Sequence, residues 1–170
     1  MISPGPGPRT GFRPIAGPGT RVLILGSLPG EASLAAGQYY AHPRNDFWRL
    51  MGPVIGRDLA PMPYAERLEA LAEAHVGLWD VIASAERQGS LDSAIRTPQA
   101  ADLRGLVGQL AALRAIGFNG AKASALGRKV LDPVPSSLAL LTLPSSSPAH
   151  ARPLAEKARS WGALTGFLVD

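Results

Sequence analysis

The sequence predicts an α/β protein, a three-layer α/β/α arrangement around a small parallel sheet of about four strands. Three observations lead there. Four short apolar runs each end in turn-forming residues, and helical patterns lie between them. The runs are apolar at successive positions, as strands covered on both faces must be. The 170 residues, 46% of them hydrophobic and 18% charged, are enough for one domain with its own core.

Taken in order, residues 1–20 (MISPGPGPRTGFRPIAGPGT) are crowded with Pro and Gly and exclude a regular element. Residues 1–10 are expected to be a flexible tail. The next ten read as an arm lying on a single domain of residues 11–170. The strands are RVLIL before Gly26, VGLW before Asp80, LRAIGF before Asn119-Gly120 and LALLTL before Pro144. Among the helices, FWRLMGPVIG is short, apolar and expected to break near Gly52-Pro53. YAERLEALAEAH sets Leu68 and Leu71 on one face and charges opposite. TPQAADLRGLVGQLAAL offers Thr97 as N-cap and Pro98 as first helical residue. NGAKASALGRKVL and AHARPLAEKARSWGALTGFL complete the set.

Composition excludes several chemistries. The chain has no cysteine, so disulfides, thiolate catalysis, Cys-ligated zinc and Cys-ligated iron–sulfur clusters are ruled out. No apolar run approaches the roughly 18 residues of a membrane span. Pro and Gly stand where a signal peptide would be apolar, so a cytoplasmic protein is expected. The net charge of +4 is uneven: residues 1–60 carry +3, 61–110 carry −3 and 111–170 carry +4. Basic ends around an acidic middle suit a side that faces nucleic acid, and scattered solvated charge explains the numbers as well.

Ligands of open parallel sheets bind beyond the carboxyl ends of the strands. GSLPG, Asp80, Asn119-Gly120 and PSSSPAH follow the four strands, which makes them candidates for one site. GSLPG (Gly26–Gly30) lacks the ending of a phosphate loop and the frame of a hydrolase nucleophile elbow. It reads equally as an ordinary strand-to-helix turn. A nucleophilic Ser27–His42 pair has no motif-placed Asp to orient it. LPSSSPAH (Leu143–His150) is either a phosphate-receiving loop or a helix-capping one. In QYYAHPRNDFW (Gln38–Trp48) stand four of the ten aromatics. Phe47 and Trp48 read as core. Tyr39 and Tyr40 lie on the loop side, better placed to face a ligand. Asn45 is a candidate N-cap, and Asp46 can share that work.

The order G-S-L-P-G, Y-Y-A-H-P-x-N-x-F-W, L-W-D-V-I and L-P-S-S-S-P resembles the uracil-DNA glycosylase superfamily, and within it the hypoxanthine (deoxyinosine) DNA glycosylases. FNGAKA and RQGSLDSAIR resemble that branch too. The likeness runs from about Arg21 to the C-terminal helix. It implies a small parallel sheet between helices and an enzyme that flips a damaged base from DNA and hydrolyses the base–sugar bond.

The resemblance also implies roles. Most branches carry a water-activating Asp or Asn where this chain has Leu28, and many place a His or Asn where it has Leu143. The deoxyinosine branch departs likewise and sets its catalytic Asn at the position of Asn45. Tyr40 would stack on the flipped base, Asp80 would read its edge, and Ser27 and Leu28 would line the base site. Ser145, Ser146, Ser147 and His150 would grip DNA, and the wedge residue used by other branches has no clear counterpart. No cofactor and no metal are expected. The partner is DNA holding a deaminated base, hypoxanthine before uracil or xanthine; no membrane is involved, and a monomer is expected. The alternatives are a mismatch-specific uracil or thymine glycosylase, a non-catalytic DNA- or nucleotide-binding module, and a serine hydrolase using Ser27.

Overall fold

A computed structural model describes residues 8–86 and 95–170, the side chains of residues 8, 9, 86 and 96–98 apart. In chain order its elements are β1 (Pro8–Thr10), β2 (Val22–Gly26), α1 (Glu31–Ala36), α2 (Phe47–Ile55), α3 (Tyr64–Glu73) and β3 (Val76–Asp80). There follow β4 (Ile82–Glu86), β5 (Arg96–Ala100), α4 (Leu103–Gln109), β6 (Ala115–Asn119), α5 (Ala121–Leu131), β7 (Ala139–Leu143), α6 (Leu154–Trp161) and a 3₁₀ turn over Gly162–Phe167.

The four strands expected from the apolar runs form one parallel sheet in the order β3-β2-β6-β7. Alternation along β2 builds the two outer layers. Val22 and Ile24 point into a cluster holding Phe47, Trp48, Leu71, Trp161 and Leu164, under α2, α3 and α6. Leu23 and Leu25 point the other way, among Leu103, Leu110, Phe118, Ala123 and Leu131 of the α4–α5 side. All four β2 residues are fully buried, each contributing on the order of 1.5–3 kcal/mol for Val, Leu or Ile. Gly127 lets α5 ride close to the sheet, since a Cβ there would meet Phe118 Cε1 at 2.3 Å.

A second, three-stranded sheet in the order β1-β4-β5 was not legible in the sequence. The chain passes from β3 to β4 through Val81 alone, and the N–H groups of Val81 and Ile82 donate to the carbonyls of Gly26 (2.7 Å) and Ser27 (3.0 Å). Both sheets are thereby joined at the first turn. Of the expected flexible tail, residues 1–7 lie outside the described residues and Pro8–Thr10 pair with Ser84–Glu86. The arm lies along β3, where Ile15 and Leu78 exchange two backbone hydrogen bonds of 2.8 Å.

Helix α1 was not expected, α6 starts only at Leu154 and passes into the 3₁₀ turn at Gly162, and two further boundaries differ from expectation. Thr97 and Pro98 stand in β5, and α4 starts at Leu103 with Asp102 as its cap, Asp102 Oδ1 accepting from Gly105 N at 3.0 Å. Antiparallel pairing with β4 extends this stretch, and β5 is an edge strand, where Pro is tolerated. The helix α2 runs through Pro53 to Ile55 and stops at Gly56 in the left-handed region (φ 73°). Pro53 has no N–H to bond the Arg49 carbonyl, and the helix continues for only two residues beyond it. Most of the RQGSLDSAIR segment lies outside the described residues.

Candidate active site

Parallel pairing brings the strand ends to one edge, with Gly26 opposite Asp80 and Asn119 opposite Leu143. At Gly26 the absence of a side chain is required. A Cβ there would lie 2.6 Å from Asp80 Oδ1 and 3.2 Å from the Tyr40 hydroxyl oxygen. The Asp80 carboxylate, 4% exposed, and the Tyr40 hydroxyl therefore converge on the end of β2.

Tyr40 has a left-handed backbone (φ 54°), strained for a bulky residue. Its neighbours hold it there: the Trp48 indole N–H donates to the Tyr40 carbonyl (3.1 Å), and its ring stacks on Phe47 at 3.9 Å and 16°. One face of the partly buried ring is thus covered by Phe47. Phe47 and Trp48 are core, as expected, at 0% and 5% exposure. Tyr39 is not ligand-facing. It is buried, its hydroxyl donates to the Arg13 carbonyl (2.9 Å) and its ring meets Phe12 edge-on. Burial first, and then the negative charge of Asp80, push its phenol well above the ordinary range.

Asn45 is partly buried at the entrance to α2. Its Oδ1 accepts from Phe47 N at 3.0 Å, and its own N–H donates to the His42 carbonyl at 2.9 Å. The N-cap position is Asp46 and not Asn45 as expected; the Asn45 oxygen instead closes a turn onto the first helical N–H, and that bond satisfies an otherwise orphaned donor. It also fixes the amide, because only the oxygen can accept that N–H, so the Nδ2 donors point away from the helix. Asp46 holds the N-cap position without a side-chain capping bond; its carboxylate meets Lys157 Nζ and Arg49 instead, each at 3.2 Å. His42 Nδ1 accepts from Arg44 N at 3.1 Å. A neutral imidazole has one accepting nitrogen, and here the backbone takes it. The Ser27–His42 nucleophilic pair therefore lacks its base.

The serines divide. Ser146 is 1% exposed and exchanges two 2.9 Å hydrogen bonds with the Asn119 amide: its N–H donates to Asn119 Oδ1, and Asn119 Nδ2 donates to its Oγ. Its carbonyl accepts from Asp46 N at 2.9 Å. Ser146 is committed to the protein interior and is not presented to DNA, contrary to expectation. Ser145 and Ser147 are partly buried, and their Oγ atoms accept from Ser147 N (3.1 Å) and Ala149 N (3.2 Å), which leaves the hydroxyl protons for an acceptor beyond the loop. His150 is partly exposed, but its Nε2 is buried without a hydrogen-bond partner.

Ser27 is 7% exposed on the turn joining the sheets. Leu28, expected to line the base site, is 6% exposed and packs with Ile82, Ala85, Ile95 and Leu126. Leu143 is likewise core.

Sequence reasoning placed Asn119 at this edge without its pairing to Ser146, and missed Asp46 and Lys157 as parts of it. Asn119-Gly120 reads locally as a turn, and Lys157 as a solvated helix residue, yet it is 1% exposed. Its partner lies 111 positions away, and no local pattern reports that. Among the described residues no group of three His, Asp or Glu side chains could hold a metal ion, and no helix is long and apolar enough to cross a membrane.

Against known proteins, residues 14–165 match the family model described as the uracil DNA glycosylase superfamily. The chain is 39% identical over 155 residues to a hypoxanthine DNA glycosylase of Methanosarcina barkeri, covering 90% of this chain and 95% of that protein. It is 39% identical over 158 residues to a hypoxanthine DNA glycosylase of Methanosarcina acetivorans, covering 92% and 97%. The solution NMR structure of a candidate uracil DNA glycosylase from M. acetivorans superposes with a TM-score of 0.84 at 38% identity, covering 95% of this chain and 98% of that one.

Proposed function

The chain belongs to the uracil DNA glycosylase superfamily, and from that premise we propose that it is a DNA glycosylase that releases hypoxanthine from deoxyinosine. Two relatives at 39% identity bear the name hypoxanthine DNA glycosylase. The observation that carries the chemistry is the fixed amide of Asn45, at the strand-end edge where Leu28 is turned into the core.

In this reading the target nucleotide leaves the stack, which costs a few kcal/mol, and enters beside Gly26 and Asp80. Asp80 accepts from a purine ring N–H, and the outer face of Tyr40 carries the base. Base–aromatic stacking of this kind contributes about 1–3 kcal/mol. The C1′–N9 bond breaks, its electron pair leaves with the purine, and the sugar gains oxocarbenium character. Water adds to C1′, and its proton passes to solvent or to the departing base. Asn45 is too weak a base to ionise water. Its Nδ2 and the remaining lone pair of Oδ1 hold the water in line, an orientational contribution. Ser145 and Ser147 give their hydroxyl protons to flanking phosphates, and His150 lies at the end of the same loop. Accompanying this reading are a single domain that includes the strand Pro8–Thr10, a monomeric state and a cytoplasmic location.

The test uses oligonucleotides with one deoxyinosine or one deoxyuridine, incubated with the protein and then with alkali. Cleavage at inosine ahead of uracil is expected. A preference for uracil would move the protein to the mismatch-specific type, and salt-dependent binding without base release would make it a binding module.

A further inference from the structure

We infer that Lys157, on α6 and outside the base site, is a positioning residue for the reaction, acting through Asp46 on Asn45; this rests on the role proposed for Asn45. Lysine is seldom fully buried without a partner, yet the Lys157 side chain is 1% exposed and its Nζ donates to Asp46 Oδ2 at 3.2 Å. Nearby, α6 is fastened to the loop after β7, the Trp161 indole N–H donating to the Pro144 carbonyl at 2.9 Å and its ring meeting Phe47 edge-on at 5.8 Å.

Asp46 is the junction of this arrangement. Its N–H donates to the Ser146 carbonyl, Ser146 is paired to Asn119, and its carboxylate is shared by Lys157 and Arg49. A continuous path, Asn119–Ser146–Asp46–Lys157, ties the end of β6, the serine loop, the entrance of α2 and α6. Asn45 is the next residue in the chain to Asp46 and shares its turn. Fixing Asp46 from both sides fixes where the Asn45 amide sits. A buried ion pair is weak evidence for stability, because apolar residues of similar volume often replace one without loss. Its consequence here is geometric.

Lys157→Met separates the two roles, since Arg49 still pairs with Asp46. Lys157→Leu is the second apolar replacement, and the variant that keeps the native Tm is the one measured. Single-turnover release of hypoxanthine is expected to fall roughly 10²-fold, the scale for a small misplacement of a reacting group. The Kd for DNA holding an abasic site should stay within about twofold, well short of the tenfold that 1.4 kcal/mol represents. Lys157→Arg, which keeps the ion pair, should restore most of the rate. In an Asn45→Ala background, Lys157→Met should cost nothing further.

A folded apolar variant with the native rate overturns the inference, and so do losses that add to those of Asn45→Ala. If Asn45→Ala alone is silent, the reading of Asn45 fails instead. The two failures are therefore distinguishable.

Discussion

Asn45 Oδ1 takes the N–H of Phe47 at 3.0 Å, so one amide oxygen satisfies the first N–H of α2 and fixes the side chain just ahead of the Asp46 N-cap. Asn45→Ala should therefore have two separable effects. Loss of that hydrogen bond should lower stability by about 1 kcal/mol, read as a Tm shift. Base release should fall roughly 10²-fold or more, far beyond what that shift explains. Asn45→Asp keeps the accepting oxygen and loses the Nδ2 donors, so it should keep the Tm and still lose the rate.

The three serines should respond in different currencies. Ser146→Ala leaves Asn119 Nδ2 without its acceptor in a buried place and should cost about 1–3 kcal/mol, with little change in salt dependence. Ser145→Ala with Ser147→Ala should keep the Tm and weaken DNA binding. Urea unfolding beside binding isotherms at two salt concentrations checks both.

Gly26→Ala places a methyl where Asp80 Oδ1 and the Tyr40 hydroxyl stand. Either group must move, at a cost of about 1–3 kcal/mol for crowding. Inosine cleavage should drop sharply while DNA affinity, set mainly by phosphate contacts, stays near native. Native cleavage by this variant would remove Asp80 and Tyr40 from the base site.

Alkali offers a pH test. The phenol of Tyr39 is raised by burial and by Asp80, and that of Tyr64 is raised mainly by burial. A raised folded value means that the native state keeps protons the unfolded chain has lost. The stabilisation is then fully present below the unfolded value, about 10, and is lost as pH rises above it. Unfolding free energy should decline above about pH 10, and Tyr39→Phe should flatten the decline.

What the residues revealed in advance follows from the range of each interaction. The parallel sheet was legible because RVLIL and its three counterparts are continuous apolar runs, a signal carried by neighbouring residues. Thr97-Pro98 misled because a cap-and-proline start and a proline-bearing edge strand share the same local chemistry; pairing with β4 decided between them. Tyr39 and Tyr40 are adjacent and chemically identical, yet a left-handed turn at Tyr40 directs one to Arg13 and the other over Gly26. The motif alone puts Leu28 at the base site, whereas its packing depends on Ile82, Ala85, Ile95 and Leu126, which the motif does not contain.

The passage from β3 to β4 through Val81 has a bearing on how selectivity can change. Asp80 ends the last strand before the joint, and two residues on, Ile82 is already paired with Ala100 in the other sheet, with the Gly26 and Ser27 carbonyls bound across the joint. A loop can lean toward a new ligand, but this joint cannot move without unzipping both ladders. On the proposed function, the wall beside Gly26 would be a fixed gauge against which each extruded base is measured. A shift from one deaminated base to another would then come by exchanging side chains on that wall, with the backbone left where it is.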